Sequence, residues 1–286
     1  MAPSDSLIEA VTRQVMAELG GGEGKCGDCK GSCAAECSDK VRSVVGEGAC
    51  RISYNGDAAR VPSELGQYID HTLLAPGTTA EEIDQLCDEA IQYRFAAVCV
   101  NPVWVRRAAR RLRGKPVAVA CVVGFPLGAN STEIKVMEAR RALREGAGEI
   151  DMVINIGALK GGDHRLVQTD IARVADTCRE VGALSKVIIE AGTLTDQEKV
   201  VASRLSQLAR ADFVKTSTGF GHGGATLFDV ALIRETVGPE MGIKASGGVK
   251  TADEANRMIA AGATRIGASA GIQIVSGQKG GAGGGY

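Results

Sequence analysis

From residue 62 onward, short apolar runs alternate with longer stretches whose apolar residues recur every three or four positions. A strand covered on both faces reads as a continuous apolar run, and an amphipathic helix as a 3.6-residue period. The pattern predicts strands at 68–74 (YIDHTLL), 95–101 (FAAVCVN), 116–124 (PVAVACVVG), 149–155 (EIDMVIN), 185–191 (SKVIIEA), 212–217 (DFVKTS), 242–246 (GIKAS) and 264–269 (TRIGAS). Helices are expected from Thr78 or Thr79, through Trp104, over 131–145, from about Asp163, after Asp196, from Thr226 and over 251–262. Strand–helix repeats of about 25–30 residues point to an α/β fold, the TIM (β/α)8 barrel. An open doubly wound sheet is the alternative. No G-x-G-x-x-G follows the first strand, which counts against dinucleotide binding.

The pattern divides the rest of the chain. Over 1–20, Leu7, Ile8, Val11, Val15, Met16 and Leu19 form an apolar stripe, Ser6 and Glu9 fit a capping box, and Gly20 to Gly22 end the helix. A helix this short needs a surface to fold on: its own domain, or a partner bound through residues 4–19. Residues 21–61 read as a Gly/Cys-rich linker, 62–275 as the barrel and 276–286 as a flexible Gly-rich tail.

Composition narrows the class. The chain has 286 residues and a formal net charge of −1, so nucleic acid is not an expected partner. Hydrophobic residues make up 44% and aromatics only 3%, which calls for a core of Ala, Val, Ile and Leu. No apolar run approaches the ~20 residues of a membrane span, and the N-terminus lacks a secretion-signal layout. The expectation is a soluble, cytoplasmic protein. Of nine cysteines, Cys87, Cys99, Cys121 and Cys178 lie in apolar contexts and read as buried small hydrophobes. Cys26, Cys29, Cys33 and Cys37 cluster in the linker; a metal or iron–sulfur site, a redox role and no specific role all remain open for them. His71, His164 and His222 show no ligand spacing.

Three ionisable residues interrupt apolar strands: Asp151 in the fourth, Lys215 in the sixth and Lys244 in the seventh. Barrels place catalytic groups at the C-terminal ends of strands. One reading is a buried salt-bridged trio that only stabilises. The functional reading makes Lys215 a nucleophile toward a carbonyl, with Lys244 in its charged form depressing the Lys215 pKa, helped by burial. Asp151 is then expected to hold Lys244 charged and to relay protons through water. The iminium is its own electron sink, so neither a cofactor nor an active-site metal is expected. Gly219, Gly247, Gly248 and the Gly267–Ser269 segment close later strands, where barrels bind phosphate through backbone N–H groups; Lys250 adds a positive charge.

The segments IDHTLL, FPLGANSTEIKVMEA, GEIDMVIN, DFVKTSTGF, KASGGV and IGAS together resemble the deoxyribose-phosphate aldolase family, in that family's order. The resemblance covers residues from about 62 to the end. It implies a TIM barrel, a homo-oligomer, and reversible cleavage of 2-deoxy-D-ribose 5-phosphate to D-glyceraldehyde 3-phosphate and acetaldehyde. By the same resemblance Lys215 is the Schiff-base lysine, Lys244 the second lysine and Asp151 the relay aspartate. Asp70 and Thr72 match a polar pair lining the site. Gly219, Gly247, Gly248, Gly267 and Ser269 fall on phosphate-binding positions, and Tyr286 resembles a C-terminal tyrosine that enters the site in some members. Phe220 stands where some members carry a phosphate-binding lysine, Lys250 where some carry arginine, and Ala270 where some carry a second serine. Cys99 is read as facing the site, a thiol able to trap reactive enals. The helix and linker before residue 62 resemble encapsulation peptides of enzymes housed in bacterial microcompartments, implying a shell or co-cargo partner and a compartment lumen.

Overall fold

A computed structural model of the chain describes residues 64–221 and 223–276. The expected N-terminal helix, the Cys26, Cys29, Cys33 and Cys37 cluster, His222 and Tyr286 lie outside the described residues.

Eight parallel strands close into a barrel: β1 Ile69–Leu73, β2 Ala97–Val100, β3 Ala118–Val123, β4 Glu149–Val153, β5 Leu184–Ile188, β6 Phe213–Lys215, β7 Gly242–Ser246 and β8 Arg265–Ala268. Closure removes the open-sheet alternative, because β8 pairs with β1 through Ile69↔Ile266 and Asp70↔Gly267. The helices are α1 Ala80–Gln92, α2 Val105–Arg111, α3 Thr132–Glu145, α4 His164–Arg179, α5 Asp196–Leu208, α6 Leu227–Val237, α7 Ala252–Ala260 and α8 Gly271–Ser276.

Local chemistry sets these boundaries. Thr79, Thr195 and Thr251 each cap a helix and complete a capping box with Glu82, Glu198 and Glu254. Gly146 ends α3 in the left-handed conformation at φ 109°. One expected helix begins differently from the pattern: the helix after β2 opens with a 3-10 turn, Pro102–Trp104, before α2. After β4, α4 starts where expected, capped by Asp163 through the Leu166 N–H, and a short helix Ile156–Lys160 precedes it, set apart by Gly162 at φ 79°.

The main core lies between barrel and helices. It takes in Val98, Val100, Val119, Cys121, Ile150, Val187, Val214 and Ile243 from the strands, with Cys87 from α1 and Cys178 from α4. Two buried cations fix strand ends that matter for the interior. Lys135 of α3 donates to the Val153 carbonyl at the end of β4 (2.9 Å) and pairs with Asp170 of α4 (2.5 Å). Arg234 of α6 donates to the carbonyls of Gly238, Met241 and Gly262, just before β7 and β8. Among the described residues no helix is long and apolar enough to cross a membrane.

Candidate active site

The third residue of four consecutive strands is ionisable: Asp151 in β4, Lys186 in β5, Lys215 in β6 and Lys244 in β7. The register sets Asp151 beside Lys186 and Lys215 beside Lys244. Side chains alternate along a strand, so Glu149 and Arg265, first in β4 and β8, share the interior with them. Asp70 enters from β1.

Asp151 is the hub. Its Oδ2 accepts from Lys215 Nζ at 2.9 Å and from Lys244 Nζ at 2.8 Å. Its Oδ1 accepts from Lys186 Nζ at 2.8 Å. Lys244 also pairs with Asp70 Oδ2 at 2.5 Å. Lys186 also donates to Glu149 and lies 3.6 Å from Asp70 Oδ2. Arg265 donates to Asp70 Oδ1 at 2.7 Å and to Glu149 Oε1 at 3.2 Å. The Phe213 ring lies against this lower tier, 6.0 Å from Lys186 Nζ and 5.6 Å from Arg265 Cζ. The whole set is buried apart from a partly accessible Arg265.

Electrostatics fixes most of the protonation states. Burial alone would raise the Asp151 pKa, but Lys186, Lys215 and Lys244 outweigh it and hold the carboxyl well below its ordinary value. Asp70 is likewise driven down against burial by Arg265, Lys244 and Lys186. Burial would lower Lys244, yet Asp151 and Asp70 hold it well above the usual lysine value. Lys186 is raised against burial by Asp151, Glu149 and Asp70. Four basic side chains therefore face three acidic ones in one buried cluster. Lys215 makes the fewest carboxylate contacts, to a single oxygen already shared with Lys244.

The structure brings together Asp151, Lys215, Lys244 and Asp70 as expected. Thr72 is buried beside Asp70 and donates to its carbonyl at 2.8 Å. Gly219, Gly247 and Gly248 lie beyond the ends of β6 and β7 with φ of 87°, 86° and 84°, conformations that disfavour a side chain. Gly247 packs on Gly224, where an added Cβ would meet the Gly224 Cα at 3.0 Å. Lys250 and Ser269 are exposed at the mouth loops after β7 and β8. Gly267 is placed differently from the loop glycines. It is the buried third residue of β8, and a Cβ there would meet Ser246 Oγ at 2.3 Å and Lys244 Cε at 2.9 Å. Its missing side chain is the space that Lys244 occupies. The hydroxyls of Ser217 and Ser246, two residues beyond the two lysines, are buried without a partner among the described residues. They are available to oxygen atoms of a ligand.

Lys186, Glu149 and Arg265 were not among the expected site residues. Each sits early in its strand, where a charge reads as the solvent-facing start of an element. The recurrence of a charge at the third position of four successive strands is the signal that finds Lys186. Cys99 faces the interior, 3.9 Å from Asp151 Oδ2, and burial pushes its thiol up, which works against the reactive thiolate.

Comparison with known proteins gives a consistent result. Residues 65–277 match the family described as DeoC/LacD family aldolase. The deoxyribose-phosphate aldolase of Thermococcus kodakarensis is 59% identical over 216 residues, covering 75% of this chain and 96% of the relative. That of Streptococcus gordonii is 57% identical over 215 residues, covering 75% and 97%. Among solved structures, the tetrameric deoxyribose phosphate aldolase from Aeropyrum pernix superposes with a TM-score of 0.70 at 32% identity, covering 74% of this chain and 89% of that one. An aldolase designated QR15 gives 0.72 at 39% identity, covering 75% and 96%.

Proposed function

The chain belongs to the DeoC/LacD aldolase family, and from that membership we propose that the barrel cleaves 2-deoxy-D-ribose 5-phosphate reversibly, through a Schiff base on Lys215. The observation that carries the mechanism is the single carboxylate oxygen, Asp151 Oδ2, held between Lys215 and Lys244.

Lys215 Nζ attacks the C1 carbonyl carbon of the open-chain sugar, and the carbonyl oxygen leaves as water. The 3-hydroxyl loses its proton, the C2–C3 bond breaks, and its electron pair moves into the iminium to give an enamine. D-Glyceraldehyde 3-phosphate departs. The enamine takes a proton at C2, and water releases acetaldehyde. Lys186 and Lys244 are each tied to more than one carboxylate, whereas Lys215 meets a single carboxylate oxygen and is the amine proposed to attack. The directions of the pKa shifts divide the remaining work: Lys244 keeps a proton to give, and Asp151 stays a carboxylate that orients it. Gly219, Gly247, Gly248, Lys250 and Ser269 at the mouth, with Gly267 at the end of β8, are the proposed phosphate contacts. Tyr286 is proposed as a residue that reaches the site from the tail.

Lys186 is a positioning residue in this account, because it fixes the Asp151 carboxylate through Oδ1 and leaves Oδ2 for the other two lysines. Lys186→Met is expected to lower kcat by about 10²-fold with a small change in KM, the scale of a misplaced catalytic group. Steady-state kinetics reads the split, and unchanged kcat would show that Asp151 is oriented without it.

The proposal extends to the N-terminal segment, whose residues 4–19 are read as the peptide that directs this enzyme to a microcompartment. The division into a 1–20 targeting segment, a 21–61 linker, the barrel and a tail from 276 belongs to the same proposal. One assay tests both parts. The full chain is expected to release D-glyceraldehyde 3-phosphate from 2-deoxy-D-ribose 5-phosphate. A variant lacking residues 1–20 is expected to keep that turnover and lose co-assembly with shell or co-cargo proteins. No turnover by folded full-length protein contradicts the reaction; co-assembly retained after the deletion contradicts the targeting role.

A further inference from the structure

Among the described residues, three that carry a side chain are left-handed: Arg94, Glu190 and Arg210. Arg94 and Arg210 are exposed just after helices, whereas Glu190, two residues beyond the end of β5, is buried. Its backbone sits at φ 53° and ψ 58°, and the chain on both sides holds it there. The Ile189 N–H donates to the Lys215 carbonyl at 3.0 Å and the Ala191 N–H to the Thr216 carbonyl at 2.8 Å, so pairing with β6 continues past the strand. The Glu190 carbonyl accepts from the Thr193 N–H at 2.9 Å and from Thr193 Oγ1 at 2.8 Å. Strain of this kind persists only where the surroundings impose it, and it clusters at functional sites.

The strained turn brings the acidic side chain to the loop that follows β6. Glu190 Oε2 accepts from Thr218 Oγ1 at 2.5 Å and from the Thr218 N–H at 3.3 Å. Thr218 Oγ1 in turn accepts from the Phe220 N–H at 3.0 Å. The fit is close, because a Cβ at Gly221 would meet Glu190 Cδ at 3.1 Å. These bonds run to Thr218 and to no basic group among the described residues. A buried acidic side chain without a basic partner is uncommon and calls for a task.

The consequence falls on Gly219. The N–H groups on either side of it, those of Thr218 and Phe220, are both used within the clamp. The Gly219 N–H has no acceptor among the described residues. An added Cβ on Gly247 would lie 3.9 Å from the Gly219 Cα, so the loops after β6 and β7 meet at this point. We propose that Glu190 is a positioning residue for the sugar phosphate: by clamping Thr218 it aims the Gly219 N–H at the phosphate oxygens. The inference rests on the assignment of Gly219 to the phosphate and names the residue that directs it. A backbone N–H helps to bind an anion only while it points at that anion. Glu190 bonds to Thr218 rather than to the Asp151 network, so loosening the clamp is expected to affect the phosphate end of the substrate more than the carbonyl end.

The test is steady-state cleavage by the full-length protein of 2-deoxy-D-ribose 5-phosphate and of 2-deoxy-D-ribose, the same sugar without its phosphate. Glu190→Gln keeps the size of the side chain and replaces one acceptor oxygen by a donor. It is expected to lower the ratio of kcat/KM for the phosphorylated over the unphosphorylated sugar by about 10-fold, through a raised KM for the phosphorylated one. Thr218→Val removes the hydroxyl from the other end of the clamp and is expected to give the same change. Thr218→Ser keeps the hydroxyl and is expected to preserve the ratio. A purely structural defect lowers turnover of both sugars alike; a ratio unchanged in Glu190→Gln, or in Thr218→Val should the first variant not fold, would overturn the inference. The phosphate assignment would then still stand. If the unmodified protein cleaves both sugars equally well, that assignment fails and the inference fails with it.

Discussion

Lys215→Leu is expected to lower kcat for deoxyribose-phosphate cleavage by about 10⁴-fold or more, the scale seen when a covalent nucleophile is removed. Leucine is close in length to the lysine stem and fills the space without a charge. The variant leaves three cations facing three carboxylates, Lys186, Lys244 and Arg265 against Asp70, Glu149 and Asp151. The site is then electrically balanced, so the fold is expected to survive while the chemistry is lost. Circular dichroism alongside steady-state turnover separates the two. Substantial residual turnover in a folded variant would mean that another amine carries the substrate.

The second large effect belongs to Asp151. Asp151→Asn keeps the shape but removes the carboxylate that three lysines share in a buried space. Breaking a buried ion network in this way costs about 3–5 kcal/mol, and loss of the group that orients the proton donor costs about 10²–10⁴-fold in kcat. Urea unfolding and turnover measure the two losses. The pH dependence carries its own signature. The Asp151 carboxyl is held below its unfolded value, so its contribution is present above about pH 4 and is lost as pH falls through the depressed folded value. Lys244 is held above its unfolded value, so its contribution is present below about pH 10 and is lost as pH rises through the raised folded value. Between those limits the network's stability is expected to be flat. In Asp151→Asn the acid limb contributed by residue 151 disappears.

The strands were legible because most are apolar runs ended by glycine or a polar residue, and β7 falls at 242–246 as the pattern predicts. The capping threonines Thr79, Thr195, Thr226 and Thr251 mark helix starts for the same local reason. Closure was not legible locally. The pairing of Ile69 with Ile266 joins the two ends of the described chain, and no window of sequence contains both. The site was legible where a charge visibly interrupts an apolar run, as at Asp151, Lys215 and Lys244. Lys186 was hidden by its neighbours Ser185 and Leu184, which made it resemble the exposed start of a strand; the Phe213 ring and two acidic residues instead enclose it. Gly267 carries a second reason for being glycine that the sequence did not show. Beside the phosphate-loop reading, its missing side chain gives clearance to Ser246 and Lys244. A sequence shows that a side chain is missing but not what fills the space.

The account stands on one covalent bond. Borohydride reduction of the full-length protein in the presence of acetaldehyde, followed by peptide mass spectrometry, reads it directly. The expected result is a single ethylated lysine, Lys215, with Lys186 and Lys244 unmodified. A label on Lys186 or Lys244 in place of Lys215, or no label in protein that is turning over substrate, would contradict it.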